Sequence, residues 1–124
     1  TAANYKTLAN YWHQAKELDP AIDTLAKSYK LAPNAELQLK MARMMIQSKR
    51  YQDLVAFAAK PAANASGEQR ADLKFLTGVA YFEQQKPKEA LSAFTQAAQN
   101  GNVSGRASPW ISFLKEQQGG AVTQ

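Results

Sequence analysis

An all-α fold is what this sequence predicts, and three features predict it. Alanine is unusually common, with Gln, Lys and Leu supplying much of the remainder, and all four are good helix formers. β-Branched residues are sparse and never alternate with polar ones over a useful length, so no strand pattern competes. Breaks fall at Leu18-Asp19-Pro20, Ala32-Pro33-Asn34, Ser48-Lys49-Arg50, Pro61 to Gly67, Gln85-Lys86-Pro87 and Asn100 to Ser108, and the pieces between them have the length of ordinary globular helices.

Taken in order, seven helices are expected, over about residues 3–17, 20–31, 35–48, 51–60, 68–85, 87–99 and 108–118. The first ends before Leu18-Asp19-Pro20, where the second begins. The third follows Pro33-Asn34. The fourth is cut short by Pro61, which cannot donate the helical hydrogen bond. The fifth follows a loop from Pro61 to Gly67, and the sixth opens at Pro87. For the seventh, Ser108 reads as an N-cap with Pro109 at the first helical position. Trp110, Phe113 and Leu114 then stand at i, i+3 and i+4 as one apolar stripe. Only the loops from Pro61 to Gly67 and from Gly101 to Gly105 are long; the other connections are short, which makes consecutive helices antiparallel neighbours. The expected organisation is a single domain over residues 1–118 with a flexible tail over 119–124.

The 124 residues, 45% of them hydrophobic, suffice for one core and not for two. No stretch approaches the ~18 apolar residues of a membrane-spanning helix, so this segment is not expected to insert in a membrane. Absence of cysteine excludes disulfides, thiolate metal sites and a catalytic thiol. The net charge of +5 comes from scattered Lys and Arg, of which only Lys49 and Arg50 are adjacent, so nucleic acid is not an expected partner. The opening Thr1-Ala2-Ala3 carries neither methionine nor a signal-peptide hydrophobic core, which suggests a processed or excised piece.

The helices repeat. The small residues Ala9, Ala42 and Gly78 recur at intervals of 33 and 36 residues, and twelve positions after each stands Ala21, Leu54 or Ala90. Three positions after each first anchor comes Trp12, Met45 or Tyr81; four after each second anchor comes Leu25, Ala58 or Phe94. Small anchors of this kind let two helices of a hairpin approach closely. The units cover about residues 2–34, 35–67 and 71–102, with 108–118 left as a cap for the end of a stack.

Helix–turn–helix units of ~34 residues with these small and aromatic positions resemble the tetratricopeptide repeat. The best match is Gly78-Val79-Ala80-Tyr81-Phe82 with Lys88-Glu89-Ala90-Leu91, Phe94 and Ala97; the first unit meets the pattern at Tyr5, Leu8, Ala9, Trp12, Ala21, Leu25, Ser28 and Pro33. The second is degenerate at Leu54, Ala58 and Pro61. The resemblance implies an α-solenoid of three hairpins plus a capping helix. The ordered stretches Tyr5-Lys6-Thr7-Leu8-Ala9-Asn10-Tyr11-Trp12 with Ala21-Ile22, Gly78 to Phe82, and Ala107-Ser108-Pro109-Trp110-Ile111 with Glu116 are further similar to tetratricopeptide proteins associated with TonB–ExbB–ExbD systems of Gram-negative bacteria. The alanine-rich Pro61–Gly67 loop departs from that pattern. This likeness implies a periplasmic accessory protein whose partners are TonB-system components.

Residues that could carry chemistry are few. His13 is the single histidine, which excludes a paired-histidine mechanism and a histidine-rich metal site. No Gly-x-Ser-x-Gly elbow or phosphate-binding glycine loop is present. Asp53, Glu68, Asp72 and Glu89 read as helix-start carboxylates that favour the macrodipole. No catalytic residue, metal or cofactor is therefore expected, and function is expected from a surface.

In the tetratricopeptide resemblance the first helix of each unit lines a concave groove. The outward positions are Lys6, Asn10, His13 and Gln14, then Leu39, Arg43, Ile46 and Gln47, then Phe75, Val79, Phe82 and Glu83. Such a groove, polar and basic at one end and apolar at the other, suits a protein or peptide partner. Phe75, Val79 and Phe82 equally fit a stripe covered by a neighbouring helix, while Met41, Met45 and Trp12 are read as core and Tyr11 as partner-facing. Lys6 and Asn10 match the carboxylate clamp of chaperone-binding tetratricopeptide domains, but Arg43, Asp72 and Leu76 do not complete it. A scaffold in another complex, or a segment that self-associates into a homo-oligomer, are the alternative readings.

Overall fold

The computed structural model describes residues 1–60 and 64–123, and among them every regular element is an α-helix. The chain divides into two compact units, Thr1–Ser66 and Gly67–Gln124, where the sequence reads as one domain. The division falls at the end of the Pro61–Gly67 loop, whose residues 61–63 lie outside the described ones.

The first unit holds α1 (Ala2–Gln14), α2 (Leu18–Leu31), α3 (Ala35–Gln47) and α4 (Tyr51–Ala58), each packed on the next. Thr1 caps α1 by accepting from the Asn4 amide at 3.2 Å, and Asn34 caps α3 by accepting from the Leu37 amide at 2.9 Å. The repeat anchors Ala9, Ala21, Ala42 and Leu54 are buried, and Leu25 lies with them. All three methionines are enclosed as well, while Trp12 is only half-buried, edge-on to exposed Tyr11.

Polar side chains stitch these helices at points no periodicity reveals. Buried Gln38 donates from Nε2 to the carbonyls of Phe57 and Lys60 at 3.1 and 2.8 Å, satisfying acceptors that the short α4 leaves open at its end. Buried Ser28 donates to the Ala2 carbonyl at 3.0 Å and fixes α2 against the start of α1. Arg50 reaches Asp23 at 3.0 Å, Asp53 at 3.1 Å and Asp19 at 3.7 Å, while Ser48 donates to Asp19. Burial alone disfavours the charged guanidinium, but the hydrogen bonds and charges of Asp23 and Asp53 outweigh that and raise its pKa. Between α2 and α4 Tyr29 meets Phe57 edge-on at 5.0 Å, and burial raises the Tyr29 pKa.

The second unit holds α5 (Gly67–Glu83), α6 (Pro87–Ala97) and α7 (Gly101–Thr123), each in contact with the other two. Gly78 is required by close approach: a Cβ there would meet the Phe94 ring at 2.8 Å. Ala90, Phe94, Ala107 and Leu114 form the buried centre, with Val103 against Ala71 and Ala97 beside it. Asp72 pairs with Arg106, whose guanidinium also lies 5.3 Å from the Phe75 ring centre, so Asp72 ties α5 to α7 instead of serving a helix start.

α7 corrects the sequence reading. It begins at Gly101, so Gly101–Gly105 is its first turn and not a loop, and Ser108 lies inside it, donating to the Ser104 carbonyl at 2.7 Å instead of capping. The cap is Asn100, whose Oδ1 accepts from the Asn102 amide at 3.0 Å. Two glycines and a serine–proline pair argue locally against helix, yet Val103, Ala107 and Leu114 fall on one face and are fully buried, and that burial prevails. Helical backbone also continues through Thr123, over residues the sequence assigns to a flexible tail; Gln124 lies outside the described residues.

One backbone device occurs three times. Lys16, Lys49 and Gln85 adopt the left-handed conformation at φ 63°, 62° and 61°. After each, the chain closes back on the preceding helix: Glu17 donates to the Trp12 carbonyl at 2.9 Å, Arg50 to Met45 at 2.8 Å, and Lys86 to Tyr81 at 2.9 Å. The acceptors are the three large residues of the sequence repeat, and the left-handed residues recur at its intervals of 33 and 36. In each case the closing amide belongs to the residue preceding the next helix, which needs no side-chain cap.

Two substitutions test these constraints by urea unfolding. Gly78→Ala destabilises by about 1–3 kcal/mol, because overpacking against Phe94 exceeds the ~1 kcal/mol gained in helix propensity. Lys49→Gly, which relieves the left-handed backbone, stabilises by up to about 1 kcal/mol.

Candidate functional site

The twelve expected groove residues lie on α1, α3 and α5, divided between the units: eight on α1 and α3, four on α5. On the first unit, Lys6, Asn10, His13, Gln14, Arg43 and Gln47 are exposed, Ile46 is half-buried, and Leu39 is buried at 7% exposure, so its side chain packs inward. Lys6 and Asn10, one turn apart on α1, line a pocket of about 210 Å³ together with Asn34, Glu36 and Lys40. Lys40 donates to Asn10 Oδ1 at 3.0 Å. The pocket thus carries two lysines and one glutamate, a modest excess of positive charge. Lys40 was not among the expected groove residues; a lone lysine on α3 gave no signal that it would reach α1.

On the second unit the four expected residues separate. Phe75 sits edge-on to Phe94 at 5.4 Å beneath Arg106, and Val79 packs on the same core. Phe82 is different. It lies between two openings, an apolar cleft of about 320 Å³ shared with Pro109, Trp110 and Phe113, and a pocket of about 470 Å³ shared with Glu83, Gln85, Pro87 and Gln117.

The cleft is built by α7. Pro109, Phe113 and Gln117 follow one another at i, i+4 and i+8 and so lie along one face of it. Trp110 is held flat on Phe94, centroids 5.0 Å apart and planes 15° apart, and presents its side to Phe82 at 5.1 Å and 72°. Phe82 also meets Phe113 edge-on at 6.1 Å and 69°. Rings in this arrangement fix one another, so the cleft wall is preorganised. The expected apolar stripe therefore divides: Leu114 is fully buried and Trp110 half-buried, while Phe113 remains 44% exposed. Sequence reasoning placed Trp110 and Phe113 against a core; once the helix starts at Gly101, Val103, Ala107 and Leu114 fill that role and free Phe113.

This division is measurable by unfolding. Leu114→Ala lowers stability by about 2–5 kcal/mol, as cavity-forming core substitutions do, whereas Phe113→Ser, which loses one ring contact and partial burial, lowers it by about 1–2 kcal/mol. No helix among the described residues is long and apolar enough to cross a membrane. No protein-family model matches this sequence, and no curated protein matches it at a significant level.

Proposed function

We propose that this chain is a non-enzymatic protein-interaction module built from tetratricopeptide-like hairpins. The observation that carries the reading is the exposed aromatic cleft of Phe82, Trp110 and Phe113, a fixed apolar surface of the kind that anchors a protein partner. The hairpin reading is supported by the recurring left-handed turn, which is in phase with the buried small anchors. Within that class, the ordered resemblance of the Tyr5–Trp12, Gly78–Phe82 and Ala107–Ile111 stretches favours a periplasmic adaptor of a TonB-dependent transport system. The basic pocket at Lys6 and Lys40 would add attraction for acidic segments of such a partner.

A second reading, self-association, draws on the exposed apolar side chains of α1, where Tyr11 is 67% and Leu8 46% accessible.

Crosslinking in the cells that produce the chain, followed by co-purification, tests the first reading: components of a TonB system are expected with the chain, and recovery of cytosolic proteins alone would overturn it. Substitutions of Arg43 and Phe82, beside substitutions of Leu8 and Tyr11, separate the second. Loss of partner capture with an unchanged molar mass in solution supports the adaptor, and unchanged capture with lost self-association supports the structural role.

A further inference from the structure

The cleft and the pocket beside it hold more than an apolar surface. Among the eight described side chains that line them, the only formal charge is the carboxylate of Glu83, in a chain whose net charge is +5. Glu83 is exposed and makes no ion pair among the described residues. It is also the last residue of α5, a helix of 17 residues with no basic side chain in its final turn. An acidic group at the negative end of a helix dipole is unfavourably placed, and a cation delivered there is favoured by both charges. The rings of Phe82, Trp110 and Phe113 add to this, because aromatic faces attract ammonium and guanidinium groups.

We propose that this site takes a peptide segment in which an apolar side chain lies next to a Lys or Arg, the apolar group seated on Phe82, Trp110 and Phe113 and the cation at Glu83. Complementarity of charge selects this occupant. An acidic segment would bring like charge to Glu83, and a wholly apolar one would leave that carboxylate beside a desolvated ligand without a counter-ion. Gln117, on the same face of α7 as Phe113, offers an amide to the peptide backbone between the two anchors. The proposal rests on the interaction-module reading and names the chemistry of its partner.

The test uses the whole chain and three blocked octapeptides that share two adjacent leucines and carry, at the following position, Arg, Gln or Glu. Binding is followed by the indole N–H resonances in heteronuclear NMR. Trp12 and Trp110 are the only tryptophans, and Trp12→Phe assigns them. The Arg peptide is expected to shift the Trp110 resonance and leave Trp12 in place, and to bind roughly fivefold more tightly than the Gln peptide, the size of a screened ion pair joined to a cation–π contact. Glu83→Gln should cut that preference to about twofold, the part the rings alone supply, and Glu83→Lys should transfer it to the Glu peptide. An Arg preference undiminished by Glu83→Gln, a shift confined to Trp12, or no shift with any peptide overturns the proposal. Crosslinked co-purification with Glu83→Lys separates this from the broader reading: partner capture equal to the unsubstituted chain refutes the cationic site alone, whereas no capture by either chain refutes the module.

Discussion

Two helices can lie close together only where one of them gives up side-chain volume, and α5 and α6 meet under that constraint. Gly78 leaves room for the Phe94 ring at a distance no Cβ could share. The position of Phe94 then decides much of the second unit, because Trp110 stacks on its face and Phe75 meets its edge. Trp110 in turn orients Phe82, and Phe82 orients Phe113. The exposed cleft is thus the far end of a chain of ring contacts that begins at a missing side chain. Aromatic contacts of this type contribute about 0.5–1.5 kcal/mol each beyond their burial, enough in series to hold a surface in one shape.

The turns supply the complementary constraint. A left-handed residue followed by a backward hydrogen bond sets the angle at which a second helix leaves the first, and here it does so with Lys, Lys and Gln where glycine would be easiest. In the first unit that geometry is reinforced by Arg50, which gathers carboxylates from α2 and α4 at the mouth of the second turn. The charge of Arg50 is therefore structural. Charge also lines the openings: two lysines and a glutamate at the pocket between α1 and α3, and a glutamate at the end of α5.

Much of the candidate surface was legible because it follows from helix register. Lys6, Asn10, Phe82 and Glu83 were placed on it through the tetratricopeptide resemblance, and each lines an opening on its own unit. Leu39, Phe75 and Val79 share that register and are turned to packing, since register specifies a face of a helix and not what covers it. The other residues that line the openings, Lys40, Pro109, Trp110, Phe113 and Gln117 among them, come from positions where only the final packing decides exposure.

The sequence by itself determined that the chain is helical, where the hairpin turns fall, and that Ala9, Ala21, Ala42, Leu54, Gly78 and Ala90 are interior. These are consequences of composition and of a 3.6-residue period, which act within one helix or between consecutive ones. Only the tertiary structure decided that Gly101 to Gly105 is helix, that Gln38 closes the end of α4, and that Phe113 faces outward while its neighbour Leu114 is enclosed. Each of these depends on a partner distant in sequence. Burial of Val103 and Ala107 outweighs the weak helix preference of two glycines, and a buried carbonyl must find a donor wherever the chain can bring one.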